Sequence, residues 1–90
     1  MKKCMKYIVK GYVQGVGFRY FALRHARMLN ISGYAKNNFD GSVEIIVEGN
    51  AKQLNMFYDL LKTGPSRSSV EKVVKTGTDC SGRYGGFDIF

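Results

Sequence analysis

A strand pattern gives way to a helix pattern across Gly11-Tyr-Val-Gln-Gly-Val-Gly-Phe-Arg19, a stretch that contains three glycines. Upstream, Tyr7-Ile8-Val9 is apolar and strand-like; downstream, apolar residues recur at helical spacing. Glycine tolerates main-chain angles that a Cβ forbids and lets an anion come close to the backbone. A helix that opens at such a junction points N–H groups without intrahelical partners at the same spot. Arg19 adds a planar, permanently charged fork suited to phosphate or carboxylate oxygens. The stretch is a candidate phosphate loop, and it fixes where one strand must end and one helix begin.

The rest of the chain can be read outward from this junction. A first strand is expected over residues 5–13, with Met5, Tyr7, Val9, Gly11 and Val13 on one face and Lys6, Ile8, Lys10 and Tyr12 on the other. A helix follows from about Phe18 to Leu29, its stripe formed by Phe18, Ala22, His25, Ala26 and Leu29. Asn30 supplies a left-handed stop. Gly33–Asn37 reads as a second strand, and Asn38-Phe39-Asp40-Gly41 as a hairpin connection with an Asp-Gly signal. In the third strand Val43, Ile45 and Val47 point inward and Glu44, Ile46 and Glu48 outward, ending at Gly49. Asn50 and Gln53 form a capping-box pair. The helix they open carries Leu54, Phe57, Tyr58 and Leu61 on one face and ends at Gly64-Pro65. Val70–Thr76 is a fourth strand with imperfect alternation that suggests a bulge. Thr78–Gly86 is a loop, and Phe87–Phe90 a short closing strand. The order β-α-β-β-α-β fits an α+β, ferredoxin-like sandwich: one antiparallel sheet, order 4-1-3-2, with two helices on one face.

At 90 residues the chain makes a single domain, residues 1–90, with 44% apolar and 13% aromatic residues to build one core. A formal charge of +7 points to anionic partners, small phosphorylated molecules or nucleic acid. Met1-Lys2-Lys3 imitates the start of a signal peptide, but Lys6 and Lys10 interrupt any apolar segment after it. No apolar run approaches the ~20 residues that span a bilayer. The expectation is a soluble, cytoplasmic monomer without a membrane partner. Cys4, Cys80 and the single histidine, His25, lack the ligand number and spacing of a structural zinc site. In a cytoplasmic protein the two cysteines are expected as free thiols.

Better-known phosphate motifs do not fit the loop. A Walker A loop needs Gly-Lys-Ser/Thr where this chain has Gly17-Phe18-Arg19, and a dinucleotide fingerprint needs a third glycine after Gly15-Val16-Gly17. Protein-kinase partner motifs are missing. A second constellation narrows the choice: Gly33-Tyr34-Ala35-Lys36-Asn37, followed by Gly41, Val43 and Gly49. Together the two stretches resemble the acylphosphatase family. Val9, Gly11, Val13, Gln14, Gly15, Val16, Phe18 and Arg19 satisfy its first signature, and the second constellation satisfies the other. Gly64-Pro65, Val70, Val73 and Phe87-x-Ile89 also fit, so the resemblance covers nearly the whole chain.

The resemblance implies hydrolysis of the carboxyl–phosphate bond of a small acyl phosphate, with no cofactor and no metal. It implies that Arg19 and the backbone N–H groups of Gln14, Gly15, Val16, Gly17, Phe18 and Arg19 hold the phosphate. Asn37 would position the attacking water. His25, Tyr34, Phe39 and Phe18 are read as packing residues, and Lys6, Lys10, Lys36 and Lys72 as solvated charges. In the expected topology the start of the first strand lies near the end of the fourth, so Cys4 and Cys80 could pair under oxidising conditions. The alternatives are a ferredoxin-like nucleic-acid-binding module and a non-catalytic anion-binding domain. The first lacks the aromatic run of an RNA-recognition strand, since its third strand reads Ser-Val-Glu-Ile-Ile-Val-Glu; no nucleic-acid partner is expected. The second is disfavoured by the presence of both Arg19 and Asn37.

Overall fold

The structure, a computed structural model, describes residues 2–80, 82 and 84–90. Seven elements follow one another: β1 (Lys3–Tyr12), α1 (Phe18–Met28), β2 (Ser32–Asn37), β3 (Val43–Gly49), α2 (Ala51–Thr63), β4 (Ser69–Gly77) and β5 (Phe87–Ile89). They form one sheet of order β4-β1-β3-β2-β5. The ferredoxin-like expectation holds, with the junction strand β1 between β4 and β3. One feature is added. β5 pairs with β2 in parallel, so the sheet is mixed rather than wholly antiparallel.

The inward residues of β1 and β3, with Val13 just beyond β1, meet the helix stripes. Tyr7, Val9, Val13, Val43, Ile45 and Val47 are buried against Phe18, Ala22, Ala26, Leu54, Phe57 and Leu61. Each fully buried large side chain of this kind contributes about 1.5–3 kcal/mol. Asn50 and Gln53 form both halves of the capping box, at 2.8 and 3.2 Å. Asn30 is left-handed (φ 57°) and stops α1 as expected. The bulge lies where Lys10 faces Lys72 and Gly11 faces Val70, which leaves Glu71 unpaired. A Cβ on Gly11 would sit 2.2 Å from the Ser69 carbonyl oxygen, so glycine is required there for close strand approach.

The segment between β4 and β5 runs from one sheet edge to the other across the face opposite the helices. Its steps can be followed. Thr78 N–H donates to the Cys4 carbonyl at 3.2 Å, Cys80 is disulfide-bonded to Cys4 on β1, and Gly82 N–H donates to Glu48 Oε1 on β3 at 2.9 Å. The Tyr84 ring then lies 6.0 Å from that of Tyr34 on β2. Residues 81 and 83 of this segment lie outside the described residues. This path corrects one expectation and adds a detail to another. Cys4 and Cys80 are not free thiols, because the strap carries Cys80 directly over Cys4. Glu48 is on the outward face, yet it is only 2% exposed because the strap covers it.

Candidate active site

The loop after β1 turns over Gln14–Gly17 and delivers the chain into α1. Gly15 (φ 74°) and Gly17 (φ 80°) adopt left-handed backbone with open space around their Cβ positions. Conformation, rather than crowding, selects glycine at both. Val16 and Phe18 are buried and anchor the loop in the core. Gly17 is the N-cap of α1, no side chain caps it, and no acidic residue lies in the first turn. The opening N–H groups of α1 therefore retain the partial positive charge that attracts an anion.

Asn37 is the last residue of β2, opposite Val43, and its side chain is exposed. The hairpin beyond it is tightly built. Asn38 N–H donates to the Ser42 carbonyl at 2.9 Å, and Ser42 donates to Asp40 Oδ1 from N at 2.9 Å and from Oγ at 2.6 Å. The Ser42 hydroxyl, then its N–H, holds the Asp40 carboxyl below its ordinary pKa. Gln14 joins this hairpin to the glycine loop: its Nε2 donates to the Asn38 carbonyl at 2.7 Å and to the Ser42 carbonyl at 2.9 Å.

Between the two halves lies a cavity of about 120 Å³ lined by Val13, Gly15, Gly17, Phe18, Arg19, Tyr20, Asn37 and Ile89. Arg19, in the first turn of α1, and Asn37, at the end of β2, thus face one space although distant in sequence. Gln14 and Val16 do not line it; Gln14 acts on the hairpin and Val16 on the core. The lining contains no Asp, Glu or His. A larger cavity of about 560 Å³ opens near the other end of α1, lined by residues including Arg27, Asn30 and Asp88, and holds none of the loop residues.

The sequence reading missed two contributors. Ile89 completes the lining, and an Arg19 Nη1 N–H donates to the Phe90 main-chain oxygen. Phe90 is itself held by its N–H, which donates to the Ala35 carbonyl at 2.9 Å. The guanidinium has more donors than this one contact uses, so Phe90 fixes the fork while leaving N–H groups for an anion. The signal was present in the expected order: β2 had an open edge, and the closing Phe87-Asp-Ile-Phe strand could pair there, beside Asn37. His25 lies outside the cavity, its ring edge-on to Phe21 at 4.5 Å; burial, then Arg24, lowers its pKa. Phe39 is fully exposed rather than packed, against expectation.

Comparison with known proteins identifies the family of the chain. The sequence model of the acylphosphatase family matches residues 5–89. An acylphosphatase of Vibrio cholerae is 41% identical over 88 residues, covering 98% of this chain and 97% of its own. One from Caldanaerobacter subterraneus is 38% identical over the whole of both chains. The crystal structure of acylphosphatase from Bacillus subtilis superposes with a TM-score of 0.93 at 37% identity, covering 100% of this chain and 99% of that one. With the family model matching residues 5–89 and similarity running over the full length, the chain belongs to the acylphosphatase family.

Proposed function

We propose that this acylphosphatase holds the phosphoryl group of its substrate with Arg19 and the backbone N–H groups of the residues that line the cavity at the loop and the start of α1, Gly15, Gly17, Phe18 and Arg19, and that Asn37 positions the water that attacks it. The observation that carries this reading is the shared cavity, in which Gly15, Gly17, Arg19 and Asn37 converge on the uncapped start of α1. Phosphoryl transfer depends chiefly on alignment and on neutralising charge on the equatorial oxygens. The helix N–H groups and the Arg19 fork supply both functions.

The reaction asks for no general acid at this site. The leaving group is a carboxylate whose conjugate acid titrates at about 4, so it departs unprotonated. A lining without Asp, Glu or His suits this chemistry and offers a metal ion no carboxylate or imidazole ligand. Asn37 can accept a hydrogen bond from water through Oδ1 or donate through Nδ2, but it is no strong base. The water proton is then taken by a substrate phosphate oxygen, and the products are carboxylate and inorganic phosphate.

The test is hydrolysis of benzoyl phosphate in EDTA, with a phosphate monoester and labelled RNA as controls. Turnover of the acyl phosphate alone supports the reading. Dependence on added metal, or RNA binding without turnover, contradicts it.

A further inference from the structure

A second cluster of reactive side chains lies at the far end of β1, away from the cavity. Cys4 and Glu48 are cross-strand partners on the outward face, and the strap brings Cys80 onto them. One ligand atom from each of the three lies within 4.8 Å of the others. Glu48 is the unusual member. Its Oε1 accepts from Gly82 N–H, but Oε2 is buried and has no hydrogen-bond partner among the described residues. An unsatisfied buried carboxylate oxygen is costly and calls for an explanation.

We propose that reduction of the Cys4–Cys80 disulfide opens a binding site for a zinc-class divalent ion, formed by the two thiolates and Glu48 Oε2. Two sulfurs and one carboxylate oxygen are a donor set that suits Zn²⁺, with a fourth tetrahedral position left for water. In such a site the sulfurs stand about 3.8 Å apart, from a Zn–S bond of about 2.3 Å. Exposed Cys80, on the strap rather than the sheet, is the member free to make that adjustment. Chemically, a dithiol reductant delivers two electrons and two protons, becoming a disulfide itself, and Cys4 and Cys80 become thiols. The ion then displaces both thiol protons into solvent. In the oxidised protein the sulfurs are bonded to each other and carry no charge, so the site is closed. The strap is clamped in either state, by a covalent bond or by the ion.

The probe is Co²⁺, a spectroscopic substitute for Zn²⁺, added to the full chain after phosphine reduction and anaerobic desalting. The expected result is one equivalent bound, with sulfur-to-cobalt charge transfer, tetrahedral visible bands and displacement by Zn²⁺. Disulfide-intact protein shows none of these. Glu48→Gln, of nearly the same shape, weakens binding about tenfold or more, the scale at which even an outer partner of a metal ligand acts. Absence of the charge-transfer band in reduced protein, equal binding by oxidised protein, or unchanged affinity of Glu48→Gln would each overturn the proposal. Circular dichroism checks the folding of the variant; should it fail to fold, the oxidised and reduced wild-type proteins decide the matter.

Discussion

Arg19 and Gln14 leave the same glycine loop and do different work. Arg19 faces the cavity and is braced by Phe90; Gln14 turns away and holds the hairpin that carries Asn37. Arg19→Ala is expected to weaken inorganic phosphate binding and to lower kcat/KM for benzoyl phosphate by about 10²–10³, the loss typical of one preorganised donor. Gln14→Ala removes two hydrogen bonds that span the loop and the hairpin. It should cost about 1–3 kcal/mol of stability in denaturant unfolding, and it should lower kcat more than it weakens phosphate binding, because the water-positioning half loosens while the phosphate half remains. Gln14 was legible as a motif residue. Its partners were not, since they are two backbone carbonyls that only tertiary packing brings near.

At the scale of elements, the hairpin between β2 and β3 has its own pH dependence. Asp40 is held below its ordinary pKa by the Ser42 hydroxyl and N–H. A depressed folded pKa means that its contribution is complete above the unfolded value, about 3.9, and is lost as pH falls through the folded value. Asp40→Asn should therefore flatten the decline of Tm with acidification below about pH 4; superimposable profiles would show that the Asp40 contacts contribute nothing. Most elements were legible because burial imposes a period on them. Val43, Ile45 and Val47 alternate with residues of the other face, and Leu54, Phe57 and Leu61 follow the helical repeat. The parallel pairing of β5 had no such signature: three residues are too few to show a period, and strand direction is set by the route of the strap. Glu48 kept its place in the alternation, but its burial depends on a segment that has no pattern of its own.

The whole molecule is closed by the strap, which links the sheet edge at β4 to the edge at β5 and so reaches the residues that brace Arg19. The Cys4–Cys80 bond closes it over a sequence separation of 76. A cross-link of such span stabilises mainly by restricting the unfolded chain, typically by about 2–4 kcal/mol. Reduction in the presence of EDTA should lower unfolding stability by about that amount, and the same loss is expected in Cys80→Ser; equal stability of oxidised and reduced protein would show that the strap is held by its other contacts. The glycine loop and Asn37 were found from sequence because each sits in a dense run of constrained residues. The strap was not, because its fixed points among the described residues are one cysteine and contacts to three different strands.

The claim that one cavity divides its work between a phosphate half and a water half is tested most directly by Asn37→Ala. Its kcat for benzoyl phosphate should fall by about 10²-fold or more, while its affinity for inorganic phosphate, measured by titration, stays close to that of the wild type. An unchanged kcat, or a phosphate affinity lost in proportion to turnover, would contradict that division.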